Sequence, residues 1–173
     1  FDKVNENDAV YLSPELDHVA FPGEPLGCAI NVFKRSGIKR GDKVLIIGAG
    51  FLGLIVCQLA VTEGADVTVM SRREYALNMA YQCGASHCVI IDEFHKTVET
   101  VNKELGGSCD CVVEATGYQY PLDLAGELVK IRGKLIIAGY HQDGIRQINM
   151  QQWNWKGIDV INAHERDNKQ YVN

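Results

Sequence analysis

An α/β fold built on a doubly wound parallel sheet of about six strands, order 3-2-1-4-5-6, is what the sequence predicts. Three observations carry that assignment. Short aliphatic runs alternate with amphipathic stretches along most of the chain, as in strands joined by helical crossovers. One run leads directly into Gly48, Gly50 and Gly53, spaced G-x-G-x-x-G, a turn that follows a buried strand and opens a helix. The 173 residues are 46% hydrophobic, enough for one sizeable core.

The elements follow in order. Residues 1–21 hold many polar residues and only fragments of periodicity, and read as a connector. Glu24-Pro25 opens a helix, because Pro fits the first turn. Leu26, Ala29, Ile30 and Phe33 give it an apolar face, Gly37 ends it, and Arg40-Gly41-Asp42 turns the chain. Val44 to Ile47 is continuously aliphatic, the mark of a central strand buried on both faces. Residues 51–63 form the next helix, with Leu54, Ile55 and Leu59 inward, and Gly64-Ala65 leads to a second strand, Val67 to Met70. A helix over 73–83 ends at Gly84, and Cys88 to Ile91 is the third strand. A helix over 95–105 closes at Gly106-Gly107 before the fourth strand, Cys109 to Glu114. Leu122, Ala125, Leu128 and Val129 mark a further helix, and Gly133 leads into a strand from Lys134 to Ala138. Ile158 to Ile161 is the sixth strand.

Charge and composition exclude several classes. Seventeen basic against 22 acidic residues leave −5, which argues against a nucleic-acid partner. The longest apolar run, Val44 to Cys57, is fourteen residues broken by three glycines, short of the roughly 20 a membrane span needs. No basic-then-apolar leader opens the chain, and its first residue is Phe1, as expected of a piece of a longer protein. The six cysteines, Cys28, Cys57, Cys83, Cys88, Cys109 and Cys111, contain no C-x-x-C pair. They are expected as small core residues of a cytoplasmic protein, with Cys109 and Cys111 on the same side of their strand.

The glycine motif carries the chemistry. Gly48 permits a tight turn, Gly50 lets a pyrophosphate approach the backbone, and Gly53 lets helix and strand pack closely. The helix start at Phe51 and Leu52 then offers free amides to phosphate. This is the dinucleotide-binding arrangement of a Rossmann-like fold. A site for NAD places a carboxylate after the second strand, to accept from the ribose 2′-hydroxyl. Here the residues are Ser71, Arg72 and Arg73, which donate to a 2′-phosphate instead. One charge-assisted bond contributes about 1.5–3 kcal/mol, so a preference for NADP(H) of roughly tens to hundreds of times is expected.

The stretches "EPLGCAINVF", "GIKRGDKVLIIGAGFLG" and "VVEATG", continued by "GYHQDG" and "GIDVINAHERD", together resemble the medium-chain, zinc-type alcohol and polyol dehydrogenase superfamily. The likeness covers roughly residues 22–166 and is specific to the superfamily, not to one substrate. It implies a cofactor domain over 22–166, with 167–173 starting a return to a catalytic domain. It also implies that Ala115, Thr116 and Gly117 meet the nicotinamide ribose, that Gly139 and Tyr140 lie near the nicotinamide, and that Ile161 and Asn162 hold its carboxamide. Glu24 matches a carboxylate near the metal in polyol-dehydrogenase-like members. One Glu cannot make a zinc site alone, so zinc is expected only in the full-length enzyme, and Cys28 is an alternative ligand that reads better as core. His141 and His164 follow strands and read more readily as exposed than as functional; Trp153 and Trp155 read as cover for the sheet edge or a partner surface.

The expected function is therefore hydride transfer between an alcohol or polyol and NADP(H), with the isolated chain binding cofactor but inactive, and with the sixth strand pairing in a homo-oligomer. A non-catalytic nucleotide sensor stays open. A methyltransferase is disfavoured, because it wants an acidic residue where Ser71 stands.

Overall fold

The computed structural model describes residue 3 and residues 11–164. Six strands form one sheet: β1 (Lys43–Ile47), β2 (Asp66–Ser71), β3 (His87–Ile90), β4 (Cys109–Glu114), β5 (Val129–Ile137) and β6 (Asp159–Asn162). Their order is β3-β2-β1-β4-β5-β6 and every pairing is parallel, as the sequence predicts. The helices are α1 (Gly23–Ser36), α2 (Phe51–Glu63), α3 (Glu74–Gln82), α4 (Phe94–Leu105), α5 (Gln119–Leu128) and α6 (Met150–Lys156). The expected connector lies partly, and the expected return segment wholly, outside the described residues; Pro14–Leu16 forms one 3₁₀ turn.

Two apolar layers sandwich the sheet. Val44, Ile46, Val67, Val69, Cys111 and Val113 face α1, α2 and α3, while Leu45, Ile47, Met70 and Val112 face α4 and α5. This alternation along strands buried on both faces explains why Val44 to Ile47 reads as an unbroken aliphatic run and its neighbours as mostly apolar ones.

Several expectations shift. The stripe of α2 against the sheet is Gly53, Val56, Cys57 and Ala60; Leu54, Ile55 and Leu59 are only half-buried. That helix is apolar all round, so periodicity could not choose its inner face. In α1 the fully buried positions include the polar Asn31 and Ser36. Asn31 Nδ2 donates to the Ala163 carbonyl at 3.4 Å, and Ser36 Oγ donates to the Phe33 carbonyl at 2.6 Å. Val129 is no helical residue. It passes directly from α5 into β5, which begins five residues earlier than Lys134. The added stretch bends at Arg132, whose φ is 57°, and β4 and β5 change register between Cys109 and Cys111. Consequently Cys109 packs in the layer of α4 and α5 and Cys111 in the opposite one, not on one side as expected, because a register irregularity switches the face a side chain takes. The sequence also gives no sign of α6, which buries no residue. Its N-terminus is capped by Asn149, whose side chain accepts from the Gln152 amide at 3.1 Å. Its Lys156 Nζ donates to the carbonyls of Gly126 at 3.0 Å, Glu127 at 2.5 Å and Val129 at 3.1 Å.

No disulfide joins any of the six cysteines among the described residues. Burial, reinforced by nearby Cys83 and Cys88, pushes the Cys57 thiol up to about 12. Burial likewise pushes Cys109 and Cys111 up to about 12. Since the thiolate is the nucleophile, iodoacetamide at about pH 8 is expected to leave these three unmodified until denaturant opens the fold. Mass mapping of alkylated peptides checks this; prompt labelling of Cys109 in the native protein would contradict its burial.

Candidate functional site

The predicted cofactor residues gather along the carboxyl ends of five adjacent strands. Gly48 and Gly50 follow β1, Ser71 ends β2, Ala115 to Gly117 follow β4, Gly139 and Tyr140 follow β5, and Asn162 ends β6. Open parallel sheets bind ligands there because backbone groups and helix starts are left unpaired at that edge.

The three motif glycines differ in what surrounds them. Gly48 has φ +116°, and a Cβ on it would meet Thr116 Cγ2 at 2.7 Å. A Cβ on Gly53 would lie 1.9 Å from the Gly48 carbonyl oxygen. Both positions are thus closed by the protein itself. A Cβ on Gly50 would meet nothing within 4 Å, and its φ of −89° suits any residue. Nothing in the fold demands glycine there, and the open space beside it leaves room for a group that docks from outside. Gly50 is also the N-cap of α2 and supplies no capping side chain. The amides of Phe51, Leu52 and Gly53 therefore begin the helix without a side-chain cap, and their dipole favours an anion. The Phe51 side chain is exposed, whereas Leu52 is partly buried and packs against the core, so its free amide is the group best placed for a phosphate. This cradle fits the pyrophosphate of a dinucleotide.

At the end of β2, Ser71 is buried and its Oγ accepts from the Arg73 amide at 3.2 Å. The hydroxyl proton stays available for donation. Arg72 and Arg73 are exposed, and no ion pair involves them among the described residues. On the far side, Tyr140 is exposed and stacks on the His164 ring at 5.0 Å. Asn162 is exposed beside Ala163, whose amide donates to the Ile137 carbonyl at 2.9 Å.

The sequence assigned no role to Glu114 or Arg146 and read His141 as an exposed loop residue; the structure corrects that. Glu114 closes β4 with its carboxylate fully buried. Its Oε1 accepts from the amides of Thr116 at 2.8 Å and Gly117 at 2.9 Å and from the Thr116 hydroxyl. Its backbone carbonyl accepts from the amides of Ala138 at 2.9 Å and Gly139 at 2.8 Å. A Cβ on Gly139 would sit 2.2 Å from the Gly117 nitrogen and 2.8 Å from Glu114 Oε2, so the loops after β4 and β5 are in direct contact. The His141 side chain is only 17% exposed, with Nε2 3.1 Å from Glu114 Oε2. Arg146 donates from Nε to His141 Nδ1 at 2.9 Å and from Nη2 to the Gly117 carbonyl at 2.6 Å, and pairs with Asp143. A carboxylate ending the run Cys111-Val112-Val113 was the one legible hint, since a buried charge needs partners.

Glu24 lies in the exposed first turn of α1, where its Oε1 accepts from Cys28 Sγ at 3.2 Å. That helix runs antiparallel to the strands: Ser36 near its end meets Lys134 at the start of the regular part of β5, and Asn31 meets Ala163 beyond the end of β6. Glu24 stands seven residues further on, about 10 Å along the helix at 1.5 Å per residue, toward the same edge as the cofactor residues. No group of three or more His, Cys, Asp or Glu that could hold a metal ion occurs among the described residues. The residues present therefore do not by themselves fit zinc. No described helix is long and apolar enough to cross a membrane.

Comparison with known proteins agrees with this geometry. A sequence model described as zinc-binding dehydrogenase matches residues 52–172. Gly48 and Gly50 lie outside that match, so they are independent evidence. The D-xylulose reductase of Saccharomyces cerevisiae is 33% identical over 148 residues, covering 80% of this chain and 41% of the relative. The D-arabitol-phosphate dehydrogenase of Enterococcus avium is 25% identical over 169 residues, covering 92% and 47%. A solved structure from Sinorhizobium meliloti, described as a zinc-binding dehydrogenase bound to NADP, matches with a TM-score of 0.71 at 27% identity, covering 80% and 42%. This chain thus spans less than half the length of each of these relatives. With the sheet order, the glycine cradle and the family match in agreement, the chain belongs to the zinc-type medium-chain alcohol and polyol dehydrogenases, as their nucleotide-binding domain.

Proposed function

We propose that residues 22–166 are the cofactor unit of an oxidoreductase that transfers hydride between an alcohol or polyol and NADP(H). The observation that carries this is the contrast at the glycine loop: Gly48 and Gly53 are closed by protein, and Gly50 opens on space. A bound nicotinamide supplies the chemistry, accepting or giving hydride. This chain's residues bind and orient it. The amides of Phe51, Leu52 and Gly53 receive the pyrophosphate. Ser71, Arg72 and Arg73 hold the 2′-phosphate, and Ala115, Thr116, Gly117, Gly139, Tyr140 and Asn162 form the nicotinamide side. The names of the yeast and Enterococcus relatives support a polyol or polyol phosphate as substrate class, and the NADP in the Sinorhizobium structure supports the choice of cofactor. Glu24 is proposed as one ligand of a catalytic metal whose other ligands lie outside this chain's described residues. The β6 edge is proposed as the surface that pairs with a second copy.

Calorimetric titration with NADPH and with NADH tests the cofactor. NADPH is expected to bind at least about tenfold more tightly, and Arg72→Ala to remove most of that difference, one charged hydrogen bond accounting for roughly that factor. Equal affinities in the unaltered chain would remove the 2′-phosphate site while leaving the dehydrogenase reading in place.

A further inference from the structure

The circuit of Glu114, His141 and Arg146 is more than the packing of two loops needs. A carboxylate taken wholly out of water is costly unless its donors are in place. All three donors to Glu114 Oε1 come from Thr116 and Gly117, so this oxygen holds the loop after β4. The other oxygen is buried as well. It faces His141 Nε2 at 3.1 Å without the alignment of a formed hydrogen bond. Because Arg146 donates to Nδ1, that nitrogen is the acceptor, and the neutral ring carries its proton on Nε2, toward the carboxylate. Arg146 then closes the circuit by taking the Gly117 carbonyl. Its planar fork reaches two acceptors on different loops, which a single ammonium could not do in the same geometry. The side chain is 14% exposed, although its neighbour Ile145 is almost fully exposed, so the arginine reaches inward from a loop that otherwise faces solvent.

We infer that Arg146 and His141, acting through Glu114, are positioning residues for the nicotinamide half of the dinucleotide. They fix the loops after β4 and β5 relative to one another before the cofactor arrives, so that binding does not have to order them. The ordering cost avoided appears as affinity. This inference rests on the cofactor reading above. It concerns only the nicotinamide end, because none of the circuit's contacts involves Ser71, Arg72 or Arg73.

The experiment compares a whole cofactor with its adenosine half. The chain and its Arg146→Met variant are titrated with NADPH and with adenosine 2′,5′-bisphosphate, and the fluorescence anisotropy of bound NADPH is recorded. Arg146→Met is expected to weaken NADPH about tenfold, because binding then has to order the two loops. Bisphosphate binding is expected to stay within about twofold, and the anisotropy to fall as the nicotinamide end loosens. A general loss of structure would weaken both ligands alike, and that result overturns the inference, as does unchanged NADPH binding. NADH with adenosine 5′-monophosphate serves the same comparison if the chain prefers the unphosphorylated cofactor. If Arg146→Met does not fold, Glu114→Gln, which keeps the side-chain shape, is read by the same criteria; failure of both to fold assigns the circuit a purely structural role and ends the proposal. Unaltered chain that binds neither whole cofactor nor half defeats the cofactor reading itself, whereas binding of both with no differential in the variants defeats this inference alone.

Discussion

Gly53→Ala is expected to destabilise the domain by about 3 kcal/mol or more, at the upper end of what overpacking costs. The added Cβ would lie 1.9 Å from the Gly48 carbonyl oxygen and 3.4 Å from Ile46 Cγ2. The first contact is with backbone, which cannot rotate aside as a side chain would. Relief requires α2 to lift from β1, and α2 is held by Val56, Cys57 and Ala60 inside the layer it shares with α1 and α3. The substitution therefore acts on the fold first and on cofactor binding only through it. Urea denaturation followed by far-ultraviolet circular dichroism measures the effect. An unchanged midpoint would mean that the helix and strand stand further apart than described.

Gly50→Ala is expected to do the reverse. The new methyl meets no protein atom within 4 Å, and the backbone there is extended, with φ −89° and ψ −174°. The unfolded-state gain of about 0.4–1 kcal/mol for such a change is offset by the poorer N-cap that alanine makes, so the net change in stability is expected to be small. Dinucleotide affinity is nevertheless expected to fall by about a hundredfold, roughly 2.7 kcal/mol, because the methyl occupies the approach of the pyrophosphate. The two alanines thus separate fold from function within four residues. Melting temperature and an NADPH titration, run on both variants, check the pair. Retained tight binding by Gly50→Ala would show that the pyrophosphate lies elsewhere.

The sheet was legible in the sequence because each strand is a local object. Val44 to Ile47 is aliphatic throughout, and Val67 to Met70 is broken only by Thr68, since both faces of each strand are covered, and the glycine spacing is set within six residues. What stayed hidden was decided by contacts between distant segments. Cys109 and Cys111 face opposite layers where the pairing of β4 with β5 changes register. The helix α6 is held by Asn149 and by Lys156 reaching back to α5, and shows no apolar period to read. Among site residues, the glycines were visible from their pattern, whereas His141 reads as a loop histidine until Glu114, 27 positions earlier, is brought beneath it. The one local hint, a carboxylate closing an apolar strand, marks a buried charge but not its partners.

The separation of Cys109 from Cys111 across the sheet gives the molecule two internal clocks. Their sulfurs are two residues apart in sequence, yet one is released only when α4 and α5 come away and the other only when α1 to α3 do. Pulsed alkylation during slow unfolding would time the two halves of the protein separately on a single peptide. Equal rates would describe one cooperative unit, and unequal rates would tell which helical layer departs first.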